Sequence, residues 1–461
     1  MINQTINLRS ASRLAEGLNR GTFSAEEILY EVLQRSESPA ATSVFICMMP
    51  EQALAEARAS DDRRRRGQTL SAWDGIPVAW KDLFDIAGTI TTAASAVRLS
   101  GPPASRDASL VTTCRNLGLV SVGKTNLTEF AYSGIGLNPH FGTPRNPHGT
   151  LPDRAPGGSS SGSAVAVAAG IVPVAIGSDT AGSVRVPASF CGVWGFKASQ
   201  QHYPLDGVFP LSRSQDSIGT FANDAEDLVQ LDALMLGRGN VDLPRRALAE
   251  LSFVIPETVV FDGIDADVLA AFDEFVQRLV HAGAQVERTE FPPFAKAKDL
   301  FRRHGTLVVA EAYTLHYDLL TSDDAARIDQ RVRRRLETAK GFTARDYVTL
   351  QWAREQLMQE TAAILGKRQM LFPTVAITAP SIDALEADEE LFVETNLLAL
   401  RNTMFGNLLG MPGVSIPIGT DRHGLPIGTL VSGLSGTDSA ILASIQAIGE
   451  TAELTSLLSA S

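Results

Sequence analysis

Cysteine is scarce in this chain: three residues, Cys47, Cys114 and Cys191, among 461, with no Cys-x-x-Cys spacing. That scatter excludes a disulfide framework and a cysteine-rich zinc site. The seven histidines form neither a His-x-His nor a His-x-x-x-His pair, so neither a metal nor a cofactor is called for. Long apolar runs are missing too. No uncharged apolar window reaches the ~18 residues that suggest a membrane-spanning helix, and Met1–Thr5 lacks the basic start of a signal peptide. Positive charge is in deficit, at 40 Lys and Arg against 52 Asp and Glu, a net −12. Non-specific binding to nucleic acid therefore has no electrostatic drive. The expectation is a cytoplasmic protein without a nucleic-acid or membrane partner.

What is present is ordinary for a globular protein: 44% hydrophobic and 20% charged residues. The N-terminal part reads helical. Ser24 with Glu27 fits a capping box ahead of Ile28, Leu29, Val32 and Leu33. A second helix is expected over 50–66. Its Arg63–Arg66 run, followed by Gly67, reads as cations at a helix C-terminus with a glycine cap. Arg331, Arg333, Arg334 and Arg335 read as a solvated helix face. From Gly75 onward, short β-like runs alternate with helical stretches (76–80, 119–123, 172–176, 251–255, 370–374, 414–417). That texture predicts an α/β fold: one compact domain with a central mixed, largely parallel β-sheet flanked by helices on both faces.

Three segments stand out chemically. The first, Ala155-Pro-Gly-Gly-Ser-Ser-Ser-Gly-Ser163, runs straight into an Ala/Val helix. Such a loop can cradle an anion at a helix N-terminus, but it lacks the Gly-Lys-Ser/Thr ending of a phosphate loop and the GxGxxG spacing of a dinucleotide site. A flexible linker is the other plain reading. The second is Gly177-Ser-Asp-Thr-Ala-Gly-Ser183-Val-Arg185, in which small residues allow a tight turn. A serine just after such a turn can be a nucleophile beside its own oxyanion donors. Asp179 and Arg185 could brace that turn as a buried pair. The third, Asp74-Gly-Ile-Pro-Val-Ala-Trp-Lys81-Asp82, ends an apolar strand on a lysine. At a surface such a lysine only snorkels; buried, its lowered pKa would suit a base.

Together, in this order, the three segments resemble the amidase signature family. The likeness extends to Gly123–Phe130, Gly142–Pro147, Cys191–Lys197, Asp216–Gly219, Asn407–Pro412 and Gly424–Gly428. Ser183 follows Ser159 by 24 positions, the spacing expected between the family's relay serine and its nucleophile. The resemblance implies a Ser-cisSer-Lys triad of Ser183, Ser159 and Lys81, with Ser159 on a cis peptide bond. It also implies oxyanion donors on the backbone of Thr180, Ala181, Gly182 and Ser183, and support of Lys81 by Ser160.

The amidase domain is expected to span 1–461: an N-terminal helical segment at 1–70, a catalytic core at 75–220, a variable substrate-side region at 225–400 and a C-terminal core segment at 401–461. The specificity pocket is expected from the Phe130–Asn138 loop, including Tyr132, Ser133 and Gly134, together with the variable region. Arg354 and Tyr347 are candidates to face it, with Arg354 suited to a carboxylate. The expected reaction is hydrolysis of a small carboxamide or a carbamoyl or ureido compound through an acyl-enzyme, without metal or cofactor. Neither the N-terminal membrane helix common in fatty acid amide hydrolases nor the added C-terminal domain common in allophanate hydrolases is expected. Two other readings stand beside this one: the glutaminase (A) subunit of a glutamine-dependent tRNA amidotransferase, and an inactive binding scaffold. Against the former, Gly195-Phe-Lys-Ala-Ser-Gln-Gln-His202 replaces that subunit's usual Gly-Leu-Lys-Pro-Thr-Tyr-Gly. The amphipathic N-terminal helices could pack on a second copy as a homodimer.

Overall fold

In the computed structural model eleven strands join one sheet: β1 (Phe45–Met48), β2 (Pro77–Lys81), β3 (Val120–Thr125), β4 (Val174–Asp179), β5 (Trp194–Lys197), β6 (Ser217–Ala222), β7 (Ser252–Pro256), β8 (Gln285–Thr289), β9 (Gln369–Pro373), β10 (Gly413–Thr420) and β11 (Pro426–Ser432). Their order across the sheet is β1-β3-β2-β4-β6-β5-β10-β11-β9-β7-β8. The structure describes residues 6–149, 152–239, 241, 243–451 and 454; the Met1–Thr5 segment lies outside them.

The sheet is mixed, as expected, but not largely parallel. Parallel pairing is confined to β3-β2-β4 and β9-β7-β8, whereas the β1-β3 edge and the run β4-β6-β5-β10-β11-β9 are antiparallel. The reason is visible at β10 and β11, which a short turn at Asp421–Leu425 joins; a tight connection permits only antiparallel neighbours. Each apolar run named from the sequence lies on a strand within a few residues of its expected limits. β2, β3 and β4 are buried throughout, which explains why apolar residues are not confined to alternate positions in them.

The N-terminal helices, Ala11–Arg20 and Ala25–Ser36, cover one end of this core. Leu14, Leu18, Ile28, Leu29 and Val32 are all buried within the chain. Their apolar faces are thus packed within the chain. The capping box forms: Ser24 Oγ accepts from Glu27 N–H at 3.1 Å, and a Glu27 carboxylate oxygen accepts from Ser24 N–H at 2.8 Å. Ser24→Ala is expected to lower stability by about 1 kcal/mol, read as a shifted urea midpoint with unchanged slope. The helix Pro50–Arg65 ends at Gly67 in the left-handed conformation. Its arginines do more than cap. Arg63 makes a two-pronged ion pair with the fully buried Asp74, and Arg64 donates to the Asp74 carbonyl, so the run anchors the segment leading into β2. Among the described residues no helix is long and apolar enough to cross a membrane.

Candidate active site

β2 and β4 run parallel with Trp80 opposite Ile176, so their C-terminal ends lie side by side. Lys81 ends β2, and Ser178 and Asp179 end β4. Lys81 is fully buried and reaches two serine hydroxyls: Nζ donates to Ser159 Oγ at 2.7 Å and to Ser178 Oγ at 2.9 Å. No carboxylate pairs with it among the described residues. Burial strips its ammonium of water and lowers the pKa to about 7, while Asp179 and Asp216 pull weakly in the other direction. Two other buried lysines lie near strand ends. Lys124 is paired with Asp82 at 2.6 Å, and Lys197 donates to the carbonyls of Ala198 and Met411. Of the three, Lys81 is the one placed against serine hydroxyls.

Ser159 comes from the Gly/Ser loop before the helix Ser161–Ala168. The Gly158–Ser159 peptide is cis. The loop is fixed by its backbone: Gly158 N–H donates to Gly134 O at 2.8 Å, Thr128 N–H to Ser159 O at 3.1 Å, and Ser160 N–H to Ser183 O at 3.2 Å. The last bond ties the loop carrying Ser159 to the turn carrying Ser183. Position 158 must be glycine, because a Cβ there would lie 2.7 Å from Gly136 N. Ser160 Oγ donates to Ser178 O at 3.2 Å. Ser160 therefore supports the β4 end, and the side chain that meets Lys81 is Ser178, which the sequence reading did not single out.

The turn after β4 is organised by Asp179. One carboxylate oxygen accepts from Gly182 N–H at 2.9 Å and the other from Val184 N–H at 3.0 Å. Arg185 adds a two-pronged pair at 3.0 and 2.9 Å, both partners being almost fully buried. Burial alone would raise the Asp179 carboxyl, but Arg185 outweighs it and holds the group well below the usual carboxylate range. Asn407, on the helix Glu389–Leu408, closes the network: it donates to Asp179 and accepts from Arg185 Nη2 at 2.6 Å. Gly182 has φ 139°, and a Cβ there would clash with Thr403 Oγ1. The Gly182 N–H, expected as an oxyanion donor, is committed to Asp179.

Thr180 and Ala181 line a cavity of about 510 Å³. Thr180 Oγ1 donates to Asp216 at 2.6 Å; burial raises that carboxyl to about 6, against hydrogen bonds from Thr180 and from the Leu211 and Ser212 amides. The cavity walls come from the 301–309 segment and the helices Gln330–Glu337 and Glu389–Leu408. Two expectations are corrected here. Arg354 is not on the cavity: it donates to Leu408 O and to Gln200, bracing a helix end. Tyr347 sits on a separate hollow, donating to Glu311 at 3.0 Å. Conversely, Arg331, Arg334 and Arg335, expected as a solvated face, line the cavity because the helix Glu389–Leu408 packs alongside them. Tyr132, Ser133 and Gly134 lie behind the wall. Ser133 Oγ and Gly134 N–H both donate to Asn396 Oδ1, at 3.0 and 2.8 Å, and Tyr132 is buried beneath Arg335.

Ser178→Ala is expected to lower kcat about tenfold. It should also move the acid limb of the pH profile downward, because a hydroxyl acceptor favours the charged lysine more than the neutral one. A pH series on the variant checks both.

A family profile described as Amidase matches residues 27–442. The 2-amino-5-chloromuconic acid deaminase of Comamonas testosteroni is 35% identical over 83% of this chain and 82% of its own length. A glutamyl-tRNA(Gln) amidotransferase subunit of Cupriavidus necator is 31% identical over 93% of each. The crystal structure of an amidase superimposes with TM-score 0.84 and 29% identity, covering 95% of this chain and 99% of that one.

Proposed function

The chain belongs to the amidase family, and from that premise we propose that it hydrolyses a small carboxamide or carbamoyl compound through an acyl-enzyme on Ser183. It is a hydrolase of carbon–nitrogen amide bonds. The observation that carries the proposed mechanism is Lys81: buried, poised near neutrality and hydrogen-bonded to Ser159 at 2.7 Å. A neutral lysine takes a proton from Ser159 as Ser159 takes one from Ser183, and Ser183 Oγ bonds to the substrate carbonyl carbon. The backbone N–H groups of Thr180, Ala181 and Ser183 face the developing oxyanion; Gly182 is left out, since its N–H already serves Asp179. The proton returns through Ser159 to the leaving nitrogen, the C–N bond breaks, and ammonia or an amine departs. Water then cleaves the Ser183 ester, with Lys81 again as base.

The test is trapping of the acyl group. Mixing wild type with a panel of small amides and hydroxylamine should yield the hydroxamate, and intact mass should show an adduct absent from Ser183→Ala. A folded protein that forms neither hydroxamate nor adduct with any amide removes the reading.

A second reading, a glutaminase subunit of an amidotransferase, is supported by the 31% identity over 93% of both chains. Glutamine preferred over every other amide, with activity dependent on added partner subunits, would favour it.

A further inference from the structure

We propose that this enzyme's substrate is anionic: an amide on a short apolar chain whose far end is a carboxylate held by Arg335. The amide half rests on the hydrolase reading above; the carboxylate half rests on the cavity alone.

The cavity that Thr180 and Ala181 line is mainly apolar, with Leu307, Val308, Phe392, Leu397 and Met404 on its walls. Three arginines of the helix Gln330–Glu337 interrupt it. Two of them are neutralised within the protein. Arg331 makes a two-pronged pair with Asp329, at 3.1 and 3.0 Å, and Arg334 pairs with Glu389. Arg335 has no carboxylate partner among the described residues. Its guanidinium lies 4.5 Å from the centre of the Tyr132 ring, and one N–H donates to Tyr132 O at 3.1 Å. That contact fixes the plane of the guanidinium and leaves other N–H donors of its fork for an acceptor in the cavity.

An uncompensated, half-buried cation facing apolar walls is costly until an anion meets it. A planar carboxylate matches the fork. Asn396 adds a second donor: its Oδ1 is held by Ser133 and Gly134, so the amino group is what it presents elsewhere. An unpaired charge, apolar surface and the catalytic turn on the lining of one cavity together describe the monoamide of a dicarboxylic acid.

The experiment compares succinamic, glutaramic and adipamic acids with their methyl esters. Binding is measured by calorimetry on Ser183→Ala, and ammonia release on wild type. At least one acid is expected to bind about 10- to 100-fold more tightly than its ester. Introducing Arg335→Gln should erase that difference by weakening acid binding to the level of the ester. Arg335→Lys should restore part of it. An unchanged thermal unfolding midpoint shows that the variant is folded.

The proposal is overturned if no acid binds, if acids and esters bind alike, or if the preference survives Arg335→Gln. It is equally overturned if Arg331→Gln, rather than Arg335→Gln, abolishes the preference. Arg335-dependent binding without ammonia release would instead sink the hydrolase reading and leave the anion site standing. Release of ammonia from acids and esters at equal efficiency would do the reverse.

Discussion

Replacing Ser183 or Lys81 by Ala is expected to lower kcat by about 10⁴- to 10⁶-fold each, and the double variant should be little worse than either alone. In the proposed mechanism nucleophile, relay and base act as one proton pathway, so losing any member loses most of the gain. The wild-type pH profile should carry the signature of the base. The Lys81 pKa is lowered to about 7, chiefly because burial disfavours the ammonium. Only neutral Lys81 can accept a proton, so kcat/KM should rise about tenfold per pH unit below 7 and level off above it. A histidine base would give a similar limb, but the variants distinguish the two: the limb belongs to a lysine only if Lys81→Ala abolishes it together with the activity. A profile that is flat from pH 5 to 9 in wild type would remove Lys81 as the base.

Asp179→Asn or Arg185→Met is expected to destabilise the fold by about 3–5 kcal/mol, since each leaves a buried partner uncompensated. The double variant should recover part of that loss, because removing both charges removes the desolvation cost as well. Activity should not return with it. The Gly182 and Val184 amides would lose their acceptor, and with it the shape of the turn that presents Ser183. Urea denaturation beside steady-state kinetics separates the two effects. The pH dependence follows from the same group. The Asp179 pKa is depressed in the folded protein, so its stabilisation is fully present above the unfolded value of about 3.9 and is lost as pH falls through the folded value. Asp179→Asn should therefore flatten the acid side of the stability curve. Equal acid sensitivity in variant and wild type would contradict the pairing.

Local features were legible in the sequence to the extent that local chemistry decides them. The strands β2, β3 and β4 show as apolar runs because both of their faces are buried, and Ser24 with Glu27 shows as a cap because capping involves neighbours only. The juxtaposition of Lys81 with Ser159 was implied by the family resemblance that the three motifs carry. Pairing direction across the sheet centre was not legible from strand composition, since it depends on how the strands are connected, as the short turn between β10 and β11 shows. Ser178 was passed over because a serine at the end of a strand looks like any polar terminator; its signal was position, one residue before Asp179 on a strand parallel to β2. The arginines at 331, 334 and 335 carry the pattern of a solvated helix, and only the distant helix Glu389–Leu408 turns them into a cavity wall. Arg354 failed for the converse reason: an arginine suited to a ligand is equally suited to a helix carbonyl.

The helix Glu389–Leu408 serves two ends. Phe392, Val393, Asn396 and Leu397 in its first half line the cavity, as do Met404 and Leu408 further on, while its second half also braces the turn after β4 and its surroundings: Asn402 on Pro373 O, Thr403 on Ala181 O, Asn407 on Asp179. Val393 and Leu397 are also substantially exposed, so little of the fold depends on them. In the proposed mechanism, selectivity and catalytic power would thus be carried on one rod, with the exposed positions of its first half the least tied to the catalytic turn. A library confined to 392, 393 and 397 is the natural place to redirect this enzyme to new amides, and its members should differ in what they accept far more than in how fast the best of them turn over.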